Sequence, residues 1–170
     1  MKIKIYDNVL LPEQHETLYN SIYHDGFPWM YSVGKTYPEE NIEDRRIFQF
    51  THEFYSNHSW TSPRADILDP ILKMLNPLAI IRIKANLTTI TPTKLTYKYH
   101  RDMGFLSESK TALYYVNTNN GETVFSNGDV ISSVANRLIV FDSNMLHAGT
   151  SCTDESTRCV INFNFFNVTM

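Results

Sequence analysis

Along the first third of the chain, apolar residues recur at helical spacing. Pro12 and Glu13 suit a first helical turn, and Leu18, Tyr19, Ile22 and Tyr23 follow on one face before Gly26 and Pro28 end the run. A second run, from about residue 62 to 76, sets Ile67, Leu68, Ile71, Leu72 and Leu75 on one side, with Pro77 as its stop. Pro70 lies inside it, so this helix either kinks or restarts with Asp69 as cap. The rest of this third is rich in aromatic residues and reads as irregular.

From Leu78 the period changes to two. Ile81, Ile83, Ala85 and Leu87 alternate with Arg82, Lys84, Asn86 and Thr88. Further strands are predicted over 95–100, 111–116, 123–125, 130–134, 137–141 and 159–166, with turns at Asn119-Asn120-Gly121 and Ser126-Asn127-Gly128. Many short strands at close spacing predict a mainly β fold, a sandwich or jelly roll flanked by the earlier helices. The expectation is one domain over residues 1–170, with 1–77 as helical and irregular support and 78–170 as the jelly-roll core.

Composition narrows the function classes. No window approaches the roughly twenty apolar residues of a membrane span, and the opening Met1-Lys-Ile-Lys-Ile-Tyr6 alternates charge with apolar residues where a signal peptide would be continuous. The expectation is a soluble, cytoplasmic protein with no membrane partner. Cys152 and Cys159 form no C-x-x-C pair and are expected to stay reduced, and the Asn-x-Ser/Thr triplets at Asn57, Asn86 and Asn167 carry no meaning without export. A net charge of −3 and a pI near 6.0 disfavour nucleic acid as a partner, since a phosphate-binding face shows as clustered excess lysine and arginine.

Three residues carry the chemistry. His100 and Asp102 stand two apart at the end of a predicted strand, which puts both side chains on one face. His147 follows the buried-strand run Leu138-Ile-Val-Phe141 at a strand exit, which would return it to the same rim of a jelly roll. Two imidazoles and one carboxylate make the facial ligand set of non-haem iron(II) oxygenases. Parity on the last strand adds a fourth residue. Ile161, Phe163 and Phe165 share one face, while Arg158, Val160, Asn162 and Asn164 share the other. A face with a charge and two amides is costly against a sealed core, so it is expected to line a polar pocket, where the arginine fork suits a carboxylate. Strict alternation would also bring Lys98 beside the metal, unless a bulge near Tyr99 or a place at the open rim removes it.

His100-x-Asp102, His147 and Arg158, with Ala112-Leu-Tyr-Tyr-Val-Asn117 between the ligands, resemble the 2-oxoglutarate- and iron(II)-dependent dioxygenases, prolyl-hydroxylase-like branch. The resemblance covers roughly residues 78 to 166, and the opening Tyr6-Asp-Asn-Val-Leu-Leu-Pro-Glu13 is similar to the short strand and helix that often precede that core. It implies a double-stranded β-helix, a cupin-like jelly roll, in a compact bacterial or phage version that works as a monomer or homodimer. It implies Fe(II) on His100, Asp102 and His147, with Arg158 on the distal carboxylate of 2-oxoglutarate. Tyr115 would hydrogen-bond the same carboxylate with Leu113 beside it, a one-residue register change would substitute Tyr114, and Asn162 and Asn164 would support the site or touch substrate.

The implied reaction consumes O₂ and 2-oxoglutarate, releases succinate and CO₂, and hydroxylates an aliphatic C–H bond of a peptide or protein residue, proline favoured, or of a small molecule. The first third is expected to supply substrate-facing edges from Phe27, Trp29, Met30, Tyr31, Arg45, Arg46, Phe48, His52 and Trp60. Nucleic-acid demethylases of the same superfamily carry a second arginine six positions after the first, and here that position is Asn164. The alternative from another class is a non-catalytic metal-binding jelly roll, which has no need of a carboxylate receptor such as Arg158.

Overall fold

The computed structural model of the chain describes residues 2–33, 48–104, 106 and 108–167. Its strands are β1 (Lys4–Tyr6), β2 (Met30–Val33), β3 (Phe48–Ser56), β4 (Ser59–Trp60), β5 (Ala79–Thr89), β6 (Ser109–Tyr115), β7 (Glu122–Phe125), β8 (Val130–Ser132), β9 (Arg137–Asp142), β10 (His147–Gly149) and β11 (Thr157–Phe166). Helix α1 spans Pro12–Tyr23, and a 3₁₀ turn over Ala65–Leu68 leads into α2, Asp69–Leu75.

The major sheet runs β1-β9-β6-β11-β5-β3-β2 and the minor sheet β10-β7-β8. Two isolated bridges, Thr96↔Thr150 and His100↔His147, lay segment 96–100 antiparallel along β10 as a further member of the minor sheet. From β5 onward the chain therefore alternates between sheets, β5, β6, β9 and β11 in the major and 96–100, β7, β8 and β10 in the minor. That alternation is the double-stranded β-helix that the strand pattern and the resemblance predict.

Segment 95–100 is not the regular strand expected of it. Between its two bridges Tyr97, Lys98 and Tyr99 face only Ala148 and Gly149, which is the extra residue of a β-bulge. The bulge turns Tyr97 inward, 7% exposed, and leaves Lys98 at the surface, so the lysine that strict alternation would set beside the ligands is absent from the cavity.

The first third holds more strand than its irregular reading allowed. β3 pairs β5 with Phe50↔Leu87 and Thr51↔Asn86 in register, and it widens the major sheet beyond β5. Phe50, His52 and Phe54 share the face that packs on the helices; His52 is buried there although its polarity breaks the apolar pattern. The second run restarts rather than kinks, but Asp69 is the first residue of α2 rather than its cap, Pro70 lies in its first turn, and Leu68 takes the cap position without a side-chain hydrogen bond. Asn76 closes it at φ 44°, and its N–H donates to the carbonyl of Leu72.

Two apolar clusters divide the labour. One lies outside the major sheet, where Ile161, Phe163 and Phe165 of β11 pack with Ile83, Phe54, Leu18, Ile22 and Ile71. Each such side chain contributes about 1.5–3 kcal/mol on burial. The other, Leu113, Tyr115, Phe125, Ile131, Ile139, Phe141 and Val160, fills the space between the sheets at the β9 and β6 side. The minor sheet is narrower than the major, so the inner faces of β5 and β3 stay open to a polar cavity. No helix among the described residues is long and apolar enough to cross a membrane.

Candidate active site

His100 ends the bulged segment, Asp102 follows it, and His147 opens β10. Their ligand atoms all lie within 4.8 Å of one another. Nε2 of His100 is 3.7 Å from Oδ1 of Asp102, and Nε2 of His147 is 3.7 Å from Oδ2. Nδ1 of His100 donates to the carbonyl of Lys98 at 3.1 Å and Nδ1 of His147 to that of Met145 at 2.9 Å. A carbonyl only accepts, so both Nδ1 atoms carry a proton, and Nε2, which faces the carboxylate, is in each ring the nitrogen placed to ligate a metal. Two such nitrogens and one carboxylate oxygen on a common centre fit an octahedral divalent metal held on one face.

Asp102 is fixed from the major sheet. Its Oδ2 accepts from Thr111 Oγ1 at 3.0 Å and from Asn162 Nδ2 at 3.1 Å. Thr111 in turn accepts from Asn164 Nδ2 at 3.1 Å, and Asn164 Oδ1 accepts from Nε and Nη2 of Arg82 at 3.2 and 3.0 Å. Burial pushes the Asp102 carboxyl up, but His147, His100, the Asn162 hydrogen bond and Arg82 together outweigh it and hold the group below its ordinary range. The site thus keeps its carboxylate ionised, as a ligand must be.

Arg158 lies in β11 on the face that parity assigned, 5% exposed. Its Nε donates to Ser133 Oγ at 2.8 Å and its Nη2 to Thr123 Oγ1 at 3.1 Å, and its guanidinium stands 5.7 Å from the ring centre of Tyr115. Burial pushes its pKa down, from a value so high that the group stays a cation. Among the described residues no carboxylate forms an ion pair with it. Gly121 makes room for it: a Cβ there would stand 2.5 Å from Arg158 Cδ.

These side chains line one cavity of about 230 Å³, together with Gln49, Arg82, Lys84, Asn86, Tyr97, Arg101, Leu113, Thr123, Val160 and Asn162. Leu113 is on its wall. Tyr115, and not Tyr114, takes the inner face, but the ring lies behind the wall and its hydroxyl donates to Thr123 Oγ1 at 2.8 Å. Tyr114 is on the outer face, 2.6 Å from Nδ1 of His15. Asn162 donates to Asp102, and its Oδ1 is buried with no hydrogen-bond partner among the described residues.

The aromatic residues of the first third do not line the cavity. Phe27 and Phe54 flank His52 at ring distances of 4.5 and 4.6 Å on the outer face, Tyr31 packs at a tilt on Phe48, and Trp60 meets Tyr55 edge to face. Arg45 and Arg46 lie outside the described residues. What this third does supply is Gln49. The sequence reading missed Gln49, Tyr97, Thr123, Ser133, Gly121 and the role of Arg82 and Lys84. Only the last two carried a signal, as the polar half of the β5 alternation.

No family model matches the sequence, and no curated protein does. Solved structures do. A prolyl hydroxylase from Trichoplax adhaerens, in complex with a hypoxia inducible factor degradation-domain peptide, matches 97% of this chain and 83% of its own at 15% identity and TM-score 0.60. A 2OG-Fe(II) oxygenase family oxidoreductase from Burkholderia pseudomallei matches 96% and 84% at 10% identity and TM-score 0.68. The epimerase SnoN, in complex with Fe3+, alpha ketoglutarate and nogalamycin RO, matches 98% and 79% at 10% identity and TM-score 0.66. The chain has the fold of the 2-oxoglutarate- and iron(II)-dependent oxygenases.

Proposed function

We propose that the protein is an iron(II)- and 2-oxoglutarate-dependent dioxygenase that hydroxylates an aliphatic C–H bond. The observation that carries this reading is Arg158, a buried guanidinium with no carboxylate partner among the described residues, in the same cavity as the three converging donor atoms of His100, Asp102 and His147. A buried cation is costly until an anion reaches it, so the cavity is built to receive one.

The metal and co-substrate, when bound, supply the oxygen chemistry: O₂ and 2-oxoglutarate give succinate, CO₂ and one oxygen atom inserted into the substrate C–H bond. This chain's residues hold and orient. His100, Asp102 and His147 would hold the ion through their three converging donor atoms. Arg158 takes the distal carboxylate of 2-oxoglutarate, steadied by Ser133 and Thr123, with Tyr115 behind them. Leu113 and Val160 offer apolar contact to the methylenes between. Thr111 and Asn162 aim Asp102, and the Asn162 hydrogen bond helps to keep it ionised.

The substrate is a peptide or protein residue, with proline favoured by likeness to the Trichoplax enzyme, or a small molecule, as likeness to SnoN allows. A non-catalytic metal-binding jelly roll is the competing reading, and it leaves Arg158 without a purpose. Anaerobic titration with Fe(II) and 2-oxoglutarate should raise a metal-to-ligand charge-transfer band, and oxygen should then yield succinate. Arg158→Ala is expected to weaken 2-oxoglutarate at least about tenfold while sparing the metal. If the wild type gives neither band nor succinate and His100→Ala behaves the same, the enzyme reading falls.

A further inference from the structure

β5 crosses the cavity wall with Arg82, Lys84 and Asn86 in line. Their partners across the β11 ladder are Asn164, Asn162 and Val160, so the two cations stand level with the side chains that hold Asp102. Nη2 of Arg82 is 3.9 Å from Oδ1 of Asp102. Glu53 lies opposite Lys84 on β3, but its carboxylate accepts from Ser56 Oγ at 3.1 Å, and among the described residues no carboxylate forms an ion pair with Lys84. Arg101 adds a third cation at the mouth.

Charge decides what this wall is for. A divalent metal, the Asp102 carboxylate, the Arg158 guanidinium and a dianionic 2-oxoglutarate sum to zero. Arg82, Lys84 and Arg101 remain as positive charge facing the cavity, in a chain whose net charge is −3. Neutral aliphatic substrate would leave the partly buried Lys84 without a counter-ion, and Arg82 with only the Asp102 carboxylate that the metal also claims. The same wall holds a second unsatisfied group. Asn162, 8% exposed, has spent its Nδ2 on Asp102, and its buried Oδ1 waits for a donor.

Resting on the oxygenase reading, we propose that the primary substrate is an acid that presents an oxyanion, carboxylate or phosphate, to Arg82 and Lys84 and a neighbouring N–H or O–H to Oδ1 of Asn162. Because Arg82 reaches Asp102, the oxyanion sits close to the metal, and the reacting carbon lies only a few bonds from it.

The test uses the protein loaded with cobalt(II) and saturated with 2-oxoglutarate under argon, so that Arg158 is already covered. Two probes, methylphosphonate and propionate, are titrated separately, and the paramagnetic relaxation of their own ³¹P and methyl ¹H nuclei is followed. The wild type should relax at least one probe in a saturable way, and the tighter probe names the oxyanion. Lys84→Met should weaken it about tenfold while 2-oxoglutarate affinity stays within about twofold, which also shows that this variant is folded, and Arg82→Gln, which also loosens Asp102, should weaken it by a similar factor when compared at full cobalt loading. Equal relaxation by wild type and variants, or none by the wild type, overturns the proposal. Failure of 2-oxoglutarate itself to bind the cobalt-loaded wild type instead brings down the oxygenase reading beneath it.

Discussion

Arg158 shows how much one buried side chain depends on groups that carry no chemistry of their own. Its guanidinium is pinned on one side by Ser133 and Thr123 and approached on the other by the Cα of Gly121. A Cβ at Gly121 would stand 2.5 Å from Arg158 Cδ, 3.0 Å from its Nε and 2.7 Å from Asn119 Oδ1. Neither neighbour is a free end: Asn119 Oδ1 accepts from the N–H of Gly121 at 2.9 Å, and the arginine is clamped. Gly121→Ala must therefore shift Arg158 and break at least one of its hydrogen bonds. The expected outcome is 2-oxoglutarate binding at least about tenfold weaker, with metal affinity unchanged, in an anaerobic titration. A Gly121→Ala protein that binds 2-oxoglutarate as tightly as wild type would show that the clamp does not set the arginine's position.

At the scale of elements, legibility followed the range of the forces involved. The alternation in β5 and β11 and the capping signals of α1 act within a few residues, so the faces of Arg158 and Asn162 and the start at Pro12 could be read directly. The bulge at 97–99 is set by pairing with β10 across the fold, so Tyr97 could not be placed. Thr123 and Ser133 reach Arg158 only because the minor sheet folds over β11. His52 hid β3 by reading as polar while packing as core. That histidine and His15 pin outer elements to the major sheet: His52 through Ser62 at 2.8 Å and the carbonyl of Pro28 at 3.1 Å, His15 through Tyr114 at 2.6 Å. Burial pushes both imidazoles below their ordinary value of 6.5. In the folded state they stay neutral where the unfolded chain already takes up protons. Their support is therefore complete above pH 6.5 and declines as the pH falls through it, until their folded values are reached. Metal-free protein should lose Tm steadily from about pH 7.5 to 5.5, and the slope should flatten in a His15→Gln, His52→Asn double variant. An unaltered slope would assign the titration to other groups.

At the scale of the whole molecule, the helices and the outer face of the major sheet bury the larger apolar cluster, and that frees the inner face of β5 and β3 to be polar. The three proposed metal ligands all come from the minor-sheet side, from the segment ending at His100, from Asp102 just after it, and from the first residue of β10. Asp102 is tied to the major sheet through Thr111 on β6 and Asn162 on β11. An ion on the triad would therefore join the two layers of the jelly roll at its open end, where the bulged segment pairs with β10 through two isolated bridges. Binding to the folded state alone adds about 2.7 kcal/mol when the free ion is at a hundred times its Kd, which for a chain of this length corresponds to a rise of roughly 5–10 °C in Tm. Cobalt(II) should produce that rise, EDTA should reverse it, and His147→Ala should abolish it. Amide exchange should slow most over 95–103 and 147–150 and little in α1. A Tm that ignores cobalt(II) and EDTA alike would mean that the three donors never close on a metal, and that the open end of the barrel owes its order to protein contacts alone.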